Sequence, residues 1–405
     1  MKNISQGYKQ TELGIIPQEW EVKRLGTIAK CFSGGTPKSE SEEMYGGTIP
    51  FIRSGEIHSD KTALFLTDDG LRKSSAKMVD VGDLIFALYG ANSGDCAISQ
   101  INGAINQAIL CIRSSSLINP FLQPYLELQK DRFIAKYLQG GQGNLSGEIV
   151  SSYTIPVPPM EEQRKIAEIL GVWDEAIEKQ SRLIEKLELR KRALMQRLLT
   201  GHTRLPGFTT PWQKAAYSEV LKEVKRTMTW NDDEEYDLIS VKRRSGGLFH
   251  RERLYGRDIK TKNLRPAKCG DFLISKMQIV HGASGLVTEE FDGMKISGSY
   301  IALVAKNRDM VDMNFINWYS KTPYFYHQTY VSSYGVHIEK MTFDLESFMS
   351  MTICIPSLPE QKAIEEVLTT ADSEIATHRK KLDALRLQKR GLMQQLLTGK
   401  TRVKI

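Results

Sequence analysis

Basic side chains are concentrated in residues 242–268, the segment KRRSGGLFHRERLYGRDIKTKNLRPAK, which holds ten Lys and Arg residues and two acidic ones. This density suits contacts to the phosphates of a nucleic-acid duplex, with some arginine or polar side chains left over for base edges. The alternative is a basic face that meets only solvent. The candidate DNA-binding residues in this segment are Lys242, Arg243, Arg244, His250 and Arg251.

Four polar stretches earlier in the chain, residues 34–40, 52–57, 71–77 and 90–94, have a similar composition but weaker charge. Taken singly, each suits an ordinary surface turn as well as a loop that reads bases. They supply the candidates Thr36, Lys38, Arg53, Arg72, Lys73 and Asn92, and later loops add Lys276, Tyr334 and His337.

Motifs for catalysis are missing from the sequence. It holds no Walker P-loop, no H-E-x-x-H, no G-x-S-x-G elbow and no N-P-P-Y or D-P-P-Y element of amino-methyltransferases. The seven histidines show no metal-ligand spacing, and the five cysteines form no C-x-x-C pair. We therefore expect a non-catalytic protein without a metal or cofactor of its own.

The composition limits the class further. The 405 residues are 41% hydrophobic and 25% charged, which is typical of a globular protein of two or three domains. The net charge of +7 suits a polyanionic partner but is too small to establish one. No apolar run is long enough to span a membrane and the N-terminus does not resemble a signal peptide, so we expect a cytoplasmic protein that binds no membrane.

An internal repeat indicates which elements position these loops. Residues 155–205 align without a gap on residues 353–403, with about 22 identities in 51 positions. Each copy follows a longer and more diverged segment that opens on a tryptophan, Trp20 or Trp212. The chain therefore consists of a variable segment and a helix, followed by a second variable segment and a second helix.

Both copies of the repeat have the 3.5-residue apolar period of a coiled coil. The same two seam positions are polar in each copy, Gln180 with His378 and Lys191 with Lys389. Polar seam residues fix register at a cost in stability, unless they merely lie in solvated parts of the seam. The apolar seam residues are Ile166, Leu170, Trp173, Ile177, Ile184, Leu187, Leu194 and Leu198 in the first helix, and Ile364, Leu368, Ile375, Leu382, Leu385, Leu392 and Leu396 in the second.

We expect the two seams to pair antiparallel, because a short linker then suffices to lead from the first helix into the second variable segment. The variable segments contain short β-rich runs, each followed by a helix, and predict α/β domains. The predicted fold class is therefore α/β, with two globular α/β domains separated by two long helices in an antiparallel coiled coil and related by a pseudo-twofold repeat. The expected bounds are 1–158 and 212–356 for the domains, 159–200 and 357–399 for the helices, 201–211 for the linker and 400–405 for a tail.

Several motifs together point to a known family. They are LGIIPQEWEVKRLG, FSGGTPK, IPFIRSGEI and GDLIF in the first variable segment, IPVPPMEEQRKIAEIL at residues 155–170, LLTGHTRL at 198–205 and its echo LLTGKTRV at 396–403. With these motifs the chain resembles the specificity subunits of type I restriction-modification systems over nearly its whole length. A P-P-x-x-E-Q-x-x-I pattern before a heptad helix, given twice, is the layout of that family, although the second copy departs from it at residues 357–359.

This resemblance implies two target recognition domains that each read one half of a bipartite, asymmetric sequence in double-stranded DNA. It also implies that the helices act as a spacer and dock two modification subunits, which carry S-adenosylmethionine and methylate adenine, while ATP-using restriction subunits join the full complex. Apolar residues beside the seam, Ile169, Ala176, Leu183 and Met195, could meet a modification subunit or pack on the recognition domains. Two other functions stay open: the recognition half of a split restriction-methylation enzyme, and a coiled-coil scaffold that binds only protein.

Overall fold

The computed structural model describes residues 6–38, 40–90, 92–137, 144–260 and 262–405. It divides into two compact units, the first made of Met1–Ser181 and Lys380–Ile405 and the second of Arg182–Arg379. Each unit therefore combines one variable segment with the beginning of one long helix and the end of the other.

The first unit holds β1 (Tyr8–Thr11), β2 (Gly14–Pro17), β3 (Glu21–Arg24), α1 (Leu25–Ile28), β4 (Ala29–Ser33), β5 (Tyr45–Ile52), β6 (Leu64–Leu66), α2 (Asp68–Arg72), β7 (Lys77–Val79), β8 (Leu84–Ala87), β9 (Cys96–Ile98), β10 (Gly103–Ile105), β11 (Ile109–Ser114), α3 (Asn119–Tyr137), α4 (Gly147–Ser151) and β12 (Thr154–Val157). The first long helix, α5 (Met160–Leu198), begins in this unit and ends in the second.

The second unit holds β13 (Gln213–Ala216), α6 (Tyr217–Val220), β14 (Leu221–Glu223), β15 (Glu235–Val241), β16 (Leu248–Tyr255), β17 (Leu264–Pro266), β18 (Phe272–Ser275), β19 (Ser284–Leu286), β20 (Lys295–Ser297), β21 (Tyr300–Ala305), α7 (Met313–Tyr319), α8 (Pro323–Val331), β22 (Ser333–Tyr334), β23 (Thr342–Phe343), α9 (Leu345–Ser350) and β24 (Thr352–Ile355). The second long helix, α10 (Leu358–Leu396), begins in this unit and ends in the first.

The two units have the same sheet topology. Four-stranded sheets of order β6-β5-β10-β7 and β4-β11-β8-β9 in the first unit correspond to β16-β15-β20-β17 and β14-β21-β18-β19 in the second. Both units pair their strands mainly antiparallel, with one parallel pair each, β5 with β10 and β15 with β20. The repeat therefore extends through the variable segments, where the sequence shows it only faintly.

A glycine–aspartate turn shows how sequence encodes this shared topology. Gly82 and Gly270, with φ of 93° and 88°, precede β8 and β18 at positions where a left-handed backbone favours glycine. The carboxylates of Asp83 and Asp271 each accept a hydrogen bond of 2.8 Å from the backbone N–H three residues earlier. The next residues are apolar and buried, so the turn leads each chain directly into the core of its unit.

The glutamine of each E-Q motif fixes the start of a long helix. The side-chain amide of Gln163 donates to two backbone carbonyls, and its oxygen accepts from a backbone N–H in the loop after β11. Gln361 repeats this set of three bonds with the loop after β21. Both side chains are buried, and each satisfies backbone groups that would otherwise lack partners.

Arginines at the end of each repeat show that the helices pair antiparallel. In the first unit, Arg402 donates Nε to Glu162 at 2.7 Å, so the chain just beyond α10 lies beside the start of α5. In the second unit, Arg204 donates to both carboxylate oxygens of Glu360, at 2.6 and 2.7 Å. Each buried glutamate raises the pKa of its arginine through these hydrogen bonds.

The lysines of the seam contact the facing helix. Lys389 pairs with Asp174 at 2.5 Å in the first unit, and Lys191 pairs with Asp372 in the second. The lysine side chains are only 15% and 21% exposed, so they do not lie in solvated parts of the seam. All of the apolar seam residues are buried or half-buried, and the other polar seam residues are buried at Gln180 and half-buried at His378.

The helix expected at the end of the second variable segment is instead two helices, α7 and α8. Pro323 occupies the first turn of α8, and the Thr322 hydroxyl accepts a hydrogen bond from the Phe325 N–H as an N-cap. A proline has no N–H to continue a preceding helix and clashes with its carbonyl groups. In the first unit the corresponding α3 continues through Pro124, so proline alone does not account for the break. Gln123 precedes Pro124, whereas Thr322 precedes Pro323 and caps a new helix.

Candidate nucleic-acid interface

The four polar stretches of the first unit come together in space. The Asn92 amide donates to the Ser54 carbonyl oxygen at 3.1 Å, which joins residues 90–94 to residues 52–57. Gly35 lies so close to Ser75 that a Cβ on it would be 1.9 Å from the serine hydroxyl, which joins residues 34–40 to residues 71–77.

Residues 105–107 connect these two pairs. Thr36 donates its hydroxyl to the Gln107 side chain, and the Asn106 N–H donates to the Ile52 carbonyl oxygen at 3.4 Å. The four stretches and residues 105–107 thus form one polar surface, which includes a hydrogen bond between residues 71 apart in sequence. It brings together the candidates Thr36, Arg53 and Asn92.

Arg53 is oriented by a carboxylate on this surface. Its Nε and Nη2 donate to the two Glu56 carboxylate oxygens, both at 3.1 Å. Burial raises the pKa of Glu56, but hydrogen bonds from Arg53 and from backbone N–H groups outweigh burial and hold that pKa below its usual value. Arg53 is therefore neutralised by a neighbour that stays ionised.

The other candidate cations of the first unit differ in whether a neighbouring carboxylate neutralises them. Arg72 and Lys73 both pair with Asp69, whose pKa is lowered mainly by the hydrogen bond from Lys73. Lys38 is exposed and pairs with no carboxylate in the part of the chain that the structure describes. Lys38 is thus the candidate of this unit whose charge is least compensated.

Most cations of residues 242–268 are also paired. Five of the six carboxylates involved lie outside this segment, so a count of charges along it overstates its positive potential. The pairs are Arg243 with Glu339 (2.9 Å), Arg251 with Glu252 (2.7 Å), Arg253 with Asp237 (2.8 Å), Arg257 with Asp233 (3.2 Å), Lys262 with Asp232 (2.6 Å) and Lys268 with Asp292 (3.3 Å).

The tip of the β15–β16 hairpin has a strained backbone. Arg244 and Ser245 have φ of 57° and 52°, a conformation that costs a residue with a side chain about 1–2 kcal/mol. Their N–H groups donate to the carbonyl oxygens of His281 and Gly282 at 2.7 and 2.9 Å. The Ser245 hydroxyl also lies 2.8 Å from the Tyr326 hydroxyl, so a second loop and a helix hold the tip in place.

The loop between β22 and β23 adjoins this hairpin. Arg243 reaches Glu339 on the loop, and the Phe343 N–H donates to the Lys276 carbonyl oxygen at 2.9 Å. Tyr334, 66% exposed, ends β22 just before this loop, and the exposed His337 lies on the loop. The candidates Lys242, Arg243, Arg244 and Lys276 therefore share one region with this loop.

His250 and Arg251 lie away from that region, on β16. His250 Nε2 is 2.8 Å from Asp237, whose pKa is lowered mainly by hydrogen bonds from Arg253 and then by His250. Arg251 lines a separate cleft of about 670 Å³ together with Lys260 and Asn263, two polar residues that the sequence patterns do not single out.

The residues that hold the hairpin tip were also missed from the sequence. Gln278 and Glu339 contact Arg243 across 35 and 96 residues of chain. Gly282 leaves room for the Tyr326 hydroxyl, which would lie 1.9 Å from a Cβ at that position. The glycine in the sequence QIVHG was the only available signal, and it did not indicate which residue would approach it.

Within the described ranges, no group of three or more His, Cys, Asp and Glu side chains could hold a metal ion. Burial raises the pKa of Cys96 and Cys111 to about 12, so these thiols are poor nucleophiles at neutral pH. No described helix is long and apolar enough to cross a membrane.

Comparison with known proteins identifies relatives along nearly the whole chain. The family described as "Type I restriction modification DNA specificity domain" matches twice, at residues 17–189 and 212–387. The type I restriction enzyme MjaVIII specificity subunit of Methanocaldococcus jannaschii is 22% identical over 96% of this chain and 94% of its own length.

Two solved structures have a similar fold. The S subunit of a type I restriction-modification system from M. genitalium has a TM-score of 0.55 and 14% identity, over 93% of this chain and 96% of that one. A chain from a structural study of complex assembly and conformational transition of the type I R-M system has a TM-score of 0.61 and 18% identity, over 95% of this chain and 99% of that one.

Proposed function

Because this chain belongs to the type I restriction-modification DNA specificity family, we propose that it is the subunit that reads DNA sequence for a restriction-modification complex. Each unit contributes one target recognition domain, and each domain reads one half of a bipartite, asymmetric site. Residues 1–158 and 212–356 form the two domains, and the helices 159–200 and 357–399 form the spacer between the half-sites.

The observation that carries this proposal is the contrast between a repeated framework and unlike loops. The sheet order, the glycine–aspartate turn and the E-Q hydrogen bonds recur in both units. The loop after β5 spans residues 53–63, whereas the loop after β15 spans only residues 242–247. Two copies of one framework with different loops suit the recognition of two different half-sites by base-edge contacts.

The partners follow from the same family. Two modification subunits would dock on this chain, bind S-adenosylmethionine and methylate adenine, and restriction subunits would join the full complex. This chain would supply recognition and no chemistry. Of the residues beside the seam, Ile169 and Met195 pack against the cores of their units, while Leu183 is 38% exposed. Leu183 is therefore the better candidate for contact with a modification subunit.

Two other functions are less well supported. A split restriction-methylation enzyme would need a catalytic motif, and the sequence contains none of those sought. A scaffold that binds only protein would not account for two matches to a DNA specificity domain.

Mapping of methylated adenines tests the proposal. DNA is taken from cells that carry this chain with its modification partner, and from matched cells that carry the partner alone. We expect methylation at one bipartite, asymmetric sequence only when this chain is present. Methylation by the purified chain alone, or sequence-independent binding that does not weaken with salt, would contradict the proposal.

A further inference from the structure

Two neighbouring arginines at the β15–β16 tip differ in whether other side chains hold their guanidinium groups. The Arg243 guanidinium is held by Gln278 at 2.6 Å and by Glu339 at 2.9 Å. The Arg244 side chain is exposed and has neither an ion pair nor a hydrogen bond with any residue that the structure describes. Arg244 therefore offers a full positive charge and all of its N–H donors to a ligand.

The backbone that carries Arg244 is unusual for this residue type. Arg244 and Ser245 both have positive φ, and the Gly246 N–H donates to the Arg243 carbonyl oxygen at 3.2 Å. A hairpin turn with two positive φ angles normally takes Asn-Gly or Gly-Gly, since these residues adopt it with least strain. An arginine at this position does not favour folding, and strain of this kind is concentrated at functional sites.

The same backbone is held rigidly. Hydrogen bonds from Arg244 and Ser245 to the backbone of residues 281 and 282 fix the tip on one side, and Tyr326 holds the Ser245 hydroxyl on another. A contact to a phosphate needs only a mobile cation. Bidentate recognition of a base edge instead requires a planar guanidinium that is carried on a rigidly held backbone.

We propose that Arg244 reads a guanine in the major groove, within the half-site of the second recognition domain, and that Arg243 only positions the turn. Guanine presents N7 and O6 as two adjacent acceptors, which the arginine fork matches with two hydrogen bonds. This inference rests on the proposed function and adds to it the identity of one reading residue and the base that it recognises.

The test is the Arg244→Gly variant, assembled with the modification subunit. Glycine adopts φ of 57° without strain, so this variant should unfold at the same temperature as the parent or at a higher one. Binding is measured to the mapped target and to duplexes in which each base pair is replaced in turn. In the parent, replacing the guanine pair should weaken binding about tenfold to a hundredfold, and in Arg244→Gly that discrimination should fall to about twofold or less.

Arg308→Ala is the control. It removes an exposed arginine from another loop of the second unit and leaves the β15–β16 tip intact, so the target sequence should not change. Arg244→Lys should also lose discrimination at the guanine, because an ammonium cannot form the forked contact.

Two results would overturn the inference. One is an Arg244→Gly complex that still discriminates at every position. The other is a variant that binds all duplexes more weakly by the same factor, as expected after the loss of a phosphate contact. A parent complex without any sequence preference would overturn the proposed function itself, so the two failures are distinguishable.

Discussion

The two units share a framework down to single hydrogen bonds but differ at the ends of their strands. Residues that join the sheets to the long helices, such as Gln163 and Gln361, make the same contacts twice. The hairpin tip at Arg244 has no counterpart of the same length in the first unit, where the corresponding loop spans residues 53–63. The duplicated positions therefore hold the structure, while the divergent loops are free to acquire different specificities.

A second difference concerns the packing of Trp20 and Trp212, the tryptophans that open the two variable segments. Trp20 is fully buried in the first unit and donates Nε1–H to Glu162 at 2.8 Å. Trp212 is half-buried, its Nε1 has no partner among the described residues, and it lines a cleft of about 740 Å³. Tyr319 and Tyr324, from α7 and α8, line the same cleft. The second unit is therefore packed less tightly at the matching position.

The largest effect should come from ending the chain after Gly207. The first unit then lacks Lys380–Ile405, but residues 182–207 are the repeat copy of that segment. A second molecule can supply its residues 182–207 in place of the missing ones, since the seams match position by position. We expect a homodimer, measured by light scattering or analytical ultracentrifugation.

This truncation also tests whether one unit reads one half-site. Identical readers related by a twofold axis see the same bases on opposite strands. The methylated sequence should therefore change from an asymmetric site to an interrupted palindrome of the first half-site. A folded monomer, or a dimer that still methylates the parent site, would contradict the equivalence of the two units.

A large loss of stability should follow Arg402→Met. Glu162 is fully buried, and removal of its guanidinium partner leaves a buried carboxylate whose one remaining side-chain hydrogen bond within the described ranges comes from Trp20. Breaking such a pair costs about 3–5 kcal/mol of unfolding free energy. Arg204→Met should lower the unfolding temperature further, because no tryptophan N–H contacts Glu360. Glu161→Ala, at an exposed position beside Glu162, is the control for thermal unfolding.

A smaller and asymmetric effect is expected from Trp→Phe at the two matched positions. Trp20→Phe removes the N–H that Glu162 accepts, at a cost of about 1–3 kcal/mol. Trp212→Phe removes an N–H that has no partner in the described chain, so the free energy of unfolding should change little or increase. Denaturant unfolding of both variants checks this, and equal losses would show that the two sites are not different.

The smallest expected effect is on the salt dependence of DNA affinity, when an unpaired or a paired cation of the first unit is removed. If Lys38 binds a phosphate, Lys38→Ala should reduce the slope of log DNA affinity against log salt concentration by about one unit. Arg53→Ala should change the salt dependence less, since Glu56 already neutralises Arg53. DNA titrations at several salt concentrations measure both slopes. A larger change with Arg53→Ala would show that its ion pair opens when DNA binds.

Much of the architecture was accessible from the sequence alone. The 3.5-residue period predicted both long helices, because a helix is defined by local hydrogen bonds and its buried face recurs at short intervals. The α/β fold class and the family are confirmed. The broken helix at Pro323 was missed because the apolar and aromatic residues on either side of the proline are equally compatible with one continuous helix.

Whether each candidate side chain is paired with another group depends on the tertiary structure. Residues 242–268 are rich in cations by sequence, but Arg243 is neutralised by Glu339, 96 residues further along, while the Arg244 side chain has no partner among the residues that the structure describes. Arg402 likewise finds Glu162 across 240 residues. Composition and periodicity describe neighbours along the chain, whereas Coulomb and hydrogen-bond energies depend on distances of a few ångströms in space. Those distances exist only after folding has brought remote segments together.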